Sequence, residues 1–105
     1  MTYKIWVDDV RQPSEDWIWL KSTNEALRFI IKNVENISLI SLDHDAGDFY
    51  NLGADYINVL NEMERLTYVR KMDFSHIKFR LHSANPVGVQ KMRSIIQRNG
   101  WTEVF

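Results

Sequence analysis

Acidic and imidazole side chains follow three apolar segments of this chain, at the point where each segment ends. These polar residues are Asp8 and Asp9, then Asp43, His44 and Asp45, and finally His82 and Ser83. Clustered carboxylates in a partly buried site are unfavourable unless a cation compensates for their charge. Aspartate oxygens suit Mg²⁺ or Mn²⁺, and nearby imidazoles extend the choice to other transition metals. The residue types therefore predict a polar site that binds a divalent metal.

A metal held by carboxylates is suited to phosphate chemistry, because it polarises a phosphoryl oxygen, activates water and orients the leaving group. His44 or His82 would serve as general acid or base, since imidazole titrates near neutral pH. Ser83 and Asn85, followed by a helix start, offer donors for an anionic oxygen. Arg11 lies just past the acidic pair, and it pairs either with those acids or with a phosphate.

Strands and helices alternate in the pattern that must position these groups. Short apolar runs at residues 4–7, 37–42 and 77–81 favour buried strands, with weaker strands at 17–20 and 102–105. Between them, apolar residues repeat at helical spacing in stretches that include Leu27, Tyr56 and Val89. Ser22 and Asn85 are typical N-cap residues for the first and third of these helices.

Alternating strands and helices predict an α/β fold with three layers, in which helices cover both faces of a parallel sheet. Ligands of such sheets bind at the carboxyl ends of the strands. All three polar clusters directly follow a predicted strand. We therefore expect residues far apart in the sequence to share one site at this edge.

Composition limits the classes of function. The chain has 105 residues, 45% of them hydrophobic, a formal net charge of -1 and no cysteine. These values indicate one domain over residues 1–105, and they disfavour a general nucleic-acid coat or an anionic-membrane binder. The first residues lack the long apolar stretch of a signal peptide, and no apolar run is long enough to span a bilayer, so we expect a cytoplasmic protein.

Ordinary structural roles also account for parts of the pattern. Asp8 and Asp9 could simply begin a turn, and residues 43–47 could form a polar loop. Helix capping alone explains Asn85, but it does not explain His82.

The order of these residues resembles the response-regulator receiver domain, which carries an acidic pair after the first strand, Asp after the third and Ser after the fourth. In that family the acidic residues bind Mg²⁺, the strand-three Asp accepts a phosphoryl group and the Ser contacts it. The resemblance implies Asp8, Asp9 and Asp43 as metal ligands, Asp43 as phosphoacceptor and Ser83 as the phosphoryl contact.

A closer resemblance is to the cyclic-phosphate processing receiver domain, a divergent receiver-like family. The stretches that carry it are residues 6–13, 41–47 and 82–88, over nearly the whole chain. Ordinary receivers lack counterparts of His44, Asp45 and His82. The resemblance implies processing of a phosphate ester, with catalytic roles for His82, His44 and Asp43 and with Asp45 as a further metal ligand.

The chain departs from an ordinary receiver in two places. Only residues 10–16 separate the first strand from Trp17, which is too short for the usual crossover helix. The fifth strand is also short, and the lysine that receivers carry at its end has no counterpart. We therefore expect a receiver-like sheet with its first helix reduced and its last strand short.

Three functions remain open at this stage. The first is metal-dependent hydrolysis of a cyclic or esterified phosphate, such as a nucleotide. The second is a stand-alone receiver phosphorylated on Asp43, and the third is a module that binds a small phosphate-containing ligand without turning it over. The sequence indicates no membrane partner and no bulk nucleic-acid partner, and it leaves the substrate and the oligomeric state open.

Overall fold

Five short strands and three α-helices make up the part of the chain that the structure describes. The computed structural model describes residues 2–44 and 55–105. Its elements are β1 (Tyr3–Val7), β2 (Ile18–Leu20), α1 (Thr23–Asn33), a short 3₁₀ helix (Val34–Asn36), β3 (Ile37–Leu42), α2 (Ile57–Val69), β4 (Lys78–Leu81), α3 (Pro86–Arg98) and β5 (Thr102–Glu103).

The strands form one parallel sheet in the order β2-β1-β3-β4-β5. This architecture confirms the predicted receiver-like α/β fold. The last strand is short, as expected, and no helix is described between β1 and β2. The strands β1, β3 and β4 lie side by side at the middle of the sheet, so their carboxyl ends share one edge.

Polar side chains begin two of the helices. Ser22 accepts a hydrogen bond from the backbone N–H of Glu25 at the start of α1. Asn85 Oδ1 accepts from the backbone N–H of Gly88 at the start of α3, where Pro86 occupies the first turn. Each cap satisfies a helix N–H that would otherwise lack a partner, so both predicted starts are confirmed.

The hydrophobic core lies between the sheet and one layer of helices. Alternate strand residues such as Ile5, Ile40 and Phe79 are fully buried, together with Ile30 of α1 and Leu60 of α2. The connections through α1, α2 and α3 all step across the sheet in the same direction. Right-handed crossovers therefore place all three helices on the same face.

We predicted that helices cover both faces of the sheet, but the described helices leave the opposite face uncovered. Strand residues there include Lys4, Trp6, Ser41 and Arg80, and no helix of residues 2–44 or 55–105 packs on them. The physical reason is the short β1–β2 connection, which cannot form the helix that would cover this face. The fold class is as predicted, but the described helices form a single layer.

Tryptophan side chains fix the loop between β1 and β2. The indole N–H of Trp6 donates to the carbonyl of Arg11 at 2.8 Å, and that of Trp19 donates to the carbonyl of Asp8 at 2.6 Å. An ion pair between Lys4 and Asp16 closes the far side of the loop. These contacts hold the backbone of the acidic segment in place against the sheet.

Within residues 2–44 and 55–105, no helix is both long enough and apolar enough to cross a bilayer.

Candidate functional site

Asp8, Asp43 and His82 stand side by side at the carboxyl edge of the sheet, one residue beyond β1, β3 and β4. The backbone N–H of Asp43 donates to the carbonyl of Val7 at 3.0 Å, and that of His82 to the carbonyl of Leu42 at 2.9 Å. The strand ladder thus continues into the site and fixes its residues. Asp8 is 0% exposed and Asp43 is 5% exposed. The predicted meeting of the strand ends is what the fold shows.

The carboxylate of Asp8 accepts three hydrogen bonds and forms one ion pair. Its Oδ1 accepts from the backbone N–H of Val10 at 2.8 Å and of Arg11 at 3.0 Å. Its Oδ2 accepts from Nε2 of His82 at 3.1 Å and forms an ion pair with Nε of Arg11, also at 3.1 Å. Burial acts to raise the pKa of Asp8, but these donors outweigh it and hold the pKa below its ordinary value. Asp8 is therefore ionised at neutral pH.

The Arg11 guanidinium joins the two buried acids. Its second contact runs from a terminal nitrogen to Oδ1 of Asp43 at 3.1 Å, and its other terminal nitrogen donates to the carbonyl of His82 at 3.1 Å. The side chain of Arg11 is 48% exposed, whereas those of both acids are buried. Arg11 thus contacts Asp8 of the acidic pair, and its other predicted partner, a phosphate, stays a prediction.

Both ring nitrogens of His82 are hydrogen bonded. Nδ1 lies 2.7 Å from Oγ of Ser41, and Nε2 faces Asp8. The pKa of His82 is lowered mainly by burial of the ring, although the contact with Asp8 opposes that shift. An ionised Asp8 only accepts, so Nε2 of the neutral ring carries the proton and Nδ1 accepts from the Ser41 hydroxyl. Trp6 stacks on the imidazole with 3.9 Å between ring centroids.

Ser41 is a site residue to which the sequence reasoning gave no role. It is 0% exposed, within a strand that is otherwise apolar at that end. A buried hydroxyl needs a partner, and this was the available signal. Its contact with His82 completes a chain of hydrogen bonds from Ser41 through His82 to Asp8.

A second group of residues surrounds the start of α3. His44 is 9% exposed, and its ring lies against Gly88, where an added Cβ would stand 2.3 Å from Cγ of His44. Nδ2 of Asn85 lies 3.5 Å from Nδ1 of His44, and Oγ of Ser83 accepts from the backbone N–H of Asn85 at 3.1 Å. Of the predicted phosphate donors, Asn85 therefore lies next to His44, and Ser83 contacts Asn85. Only glycine at position 88 allows this close approach.

Tyr56 holds the second acid of the pair. Its hydroxyl lies 3.1 Å from Oδ1 of Asp9 and 2.9 Å from the carbonyl of Lys21, and the phenol ring is fully buried. Burial raises the pKa of Tyr56, and the charge of Asp9 raises it further. The hydroxyl therefore stays protonated and donates. The helical spacing included Tyr56 in the apolar pattern of a predicted helix, but nothing in the spacing pointed to this contact.

The described residues fit a divalent cation in one respect. Asp8 and Asp43 are buried carboxylates that already share a cation, the Arg11 guanidinium, and oxygen ligands of this kind suit Mg²⁺ or Mn²⁺. In residues 2–44 and 55–105, no group of three or more His, Cys, Asp or Glu side chains is arranged to hold a metal. Asp45, a predicted ligand, lies outside the described residues.

Comparison with known proteins assigns the family. The family model described as the cyclic-phosphate processing receiver domain matches residues 3–98. Compared with curated proteins and with solved structures, the chain gave no significant match. The family match covers all the described strands and helices except β5, and it includes every residue of the site. The chain therefore belongs to the cyclic-phosphate processing receiver domain family.

Proposed function

We propose that this domain hydrolyses a cyclic or otherwise esterified phosphate, with a divalent metal and a nucleotide-like substrate. The observation that carries the proposal is the ion-paired group of Asp8, Arg11 and Asp43 beside His44 at one edge of the sheet. Carboxylates, a cation and an imidazole within one site are the groups that phosphoester hydrolysis needs. The family assignment supports the same class of substrate.

The start of α3 is the proposed binding position for the phosphate. A helix N-terminus carries partial positive charge and favours an anion. Ser83 and Asn85 flank that position. The half-exposed guanidinium of Arg11 contacts the neighbouring acids Asp8 and Asp43. An anionic ligand at this place would have donors on the helix side and a cation on the strand side.

Among the described residues, the proposed metal ligands are Asp8 and Asp43, which share Arg11, and Asp9, which would join them when the metal binds. When bound, a divalent metal would supply Lewis-acid polarisation of a phosphoryl oxygen and a more acidic water. The protein itself orients two of these acids, because the backbone at Asp8 and the hydroxyl of Tyr56 at Asp9 hold them in place.

The two histidines are proposed to have different roles. Both ring nitrogens of His82 are committed to Ser41 and Asp8, so we assign His82 the orientation of Asp8. His44 lies beside the start of α3 and near Asn85, and we assign it the proton transfer to or from the ester oxygen.

The test is turnover of cyclic nucleotides. Incubation of the domain with 2′,3′- and 3′,5′-cyclic nucleotides and Mg²⁺ or Mn²⁺, followed by ³¹P NMR, should show ring opening. His44→Ala should lower the rate by about 10²- to 10⁴-fold, the usual contribution of a positioned acid or base. His76→Ala is the matched control, because His76 is exposed and bonds to the carbonyl of Val34 away from the site.

Other outcomes distinguish the alternatives. Full activity in His44→Ala would contradict the role of His44, and absence of ring opening with every substrate would contradict hydrolysis of cyclic nucleotides. Thermal stabilisation by the nucleotide without product would identify a binding module instead. A phosphoryl group on Asp43 after incubation with acetyl phosphate, detected by intact mass, would identify a stand-alone receiver.

A further inference from the structure

We propose that Arg11 is an exchangeable counterion, which holds the place of the divalent cation between Asp8 and Asp43 and leaves when that cation binds. This inference rests on the metal of the proposed function, and it adds a role for Arg11 that controls access to the same site. Its basis is the pair of 3.1 Å contacts from one guanidinium to Oδ2 of Asp8 and Oδ1 of Asp43.

The two acids need a cation at all times. Asp8 is 0% exposed and Asp43 is 5% exposed, so water screens their mutual repulsion poorly. A guanidinium cannot lose its proton in a protein, and Arg11 therefore supplies a permanent charge. The site is consequently balanced in part before any metal arrives, and its backbone can fold around two buried carboxylates.

The guanidinium and a divalent ion cannot occupy this place together. The guanidinium contacts one oxygen of each acid, and a divalent ion held by the same two carboxylates would place a second positive charge beside it. Metal binding must therefore displace Arg11 from at least one of the acids. The affinity that is measured for the metal includes the free energy of breaking these ion pairs.

The side chain of Arg11 can move while its backbone stays in place. Its side chain is 48% exposed, but its N–H donates to Oδ1 of Asp8 and its carbonyl accepts from the indole of Trp6. The main chain is thus fixed at both polar groups, while the guanidinium stands at the rim of the site. A displaced guanidinium would remain near the start of α3, where an anionic phosphate binds in the proposed function.

Exchange of this kind couples the two ligands. The metal releases Arg11 for the phosphate, and a phosphate that binds Arg11 leaves the acids open for the metal. Linkage requires the effect to be equal in both directions. The domain would then hold a phosphate ester more strongly when the metal is present.

The experiment measures Mn²⁺ affinity by electron paramagnetic resonance of the free ion, in wild type and in four variants. Arg11→Gln removes the competing charge and should bind Mn²⁺ more tightly by about 5- to 150-fold, the usual range of coupling between sites. Arg11→Lys retains the charge and should stay close to wild type. Arg93→Gln is the matched control, since Arg93 pairs with Glu103 through two 2.7 Å contacts away from the site and should leave Mn²⁺ affinity unchanged.

Equal or weaker Mn²⁺ binding in Arg11→Gln than in wild type would overturn the proposal, and so would absence of binding in both. If Arg11→Gln is unfolded, recovery of its circular dichroism with Mn²⁺ supports the exchange, and failure to recover contradicts it. Adding Asp43→Asn to Arg11→Gln should remove the gain. None of these readouts depends on turnover. Tighter Mn²⁺ binding by Arg11→Gln, without hydrolysis of any substrate, would support the exchange of Arg11 and contradict the proposed hydrolysis.

Discussion

Two clusters share the carboxyl edge of the sheet and are held in different ways. The Asp8 cluster consists of Asp8, Arg11, Ser41 and His82, and hydrogen bonds or ion pairs join all of its members. The His44 cluster consists of His44, Ser83, Asn85 and Gly88, and it depends on close packing and helix capping at α3. The difference shows that the first cluster is a bonded network of charged and polar groups, whereas the second depends on the shape of the chain at the start of α3.

The largest expected effect is on the Asp8 cluster. Asp8→Ala leaves a buried imidazole, two backbone N–H groups and part of the Arg11 charge without their acceptor. We expect the free energy of unfolding to fall by about 3–5 kcal/mol, as for other broken buried ion pairs. Urea unfolding measures it. Asp16→Ala is the control, because Asp16 pairs with Lys4 at the surface and should change the stability little. Equal losses in the two variants would show that the Asp8 cluster is not a stabilising network.

The next effect is on the packing of the His44 cluster. Gly88→Ala should lower the free energy of unfolding by about 1–3 kcal/mol, because the new Cβ overlaps the ring of His44. Helix propensity alone predicts the opposite sign, a gain of about 1 kcal/mol. Thermal or urea unfolding decides between them. Ser94→Ala, on the exposed side of α3, is the control and should not destabilise the protein. A more stable Gly88→Ala would mean that His44 does not lie against the helix.

A smaller effect separates capping from function. Asn85→Ala and Ser22→Ala each remove an N-cap, and each should lower the free energy of unfolding by about 1 kcal/mol. Asn85 also lies 3.5 Å from His44, so only Asn85→Ala should shift the ring resonances of His44 in NMR spectra. If the His44 resonances are the same in the two variants, Asn85 acts only as the N-cap of α3.

The smallest effect concerns pH. Burial lowers the pKa of His82 below its ordinary value of 6.5, so the unfolded chain binds more protons than the folded chain between the two pKa values. The free energy of unfolding should therefore rise with pH across that window and lose this dependence above pH 6.5. Chemical denaturation on both sides of that value measures the slope. His82→Asn should remove this contribution, and an unchanged slope would assign it to other groups.

The sequence predicted the meeting of Asp8, Asp43 and His82, because the ends of neighbouring parallel strands coincide whatever the details of packing. It did not predict the single layer of helices, since the pattern shows that α1, α2 and α3 exist but not which face each one covers. The roles of Ser41, Tyr56 and Gly88 also escaped it. Their partners lie far away in the sequence, and no spacing rule reports a contact between them.

The stacking of Trp6 on His82 has an optical consequence. An excited indole loses its fluorescence readily to a protonated imidazole in contact with it, and much less readily to a neutral one. The 3.9 Å stack therefore makes Trp6 a built-in reporter of the charge on His82, next to the acid that the imidazole orients. A change in the charge on His82 would therefore alter the emission of the unlabelled protein.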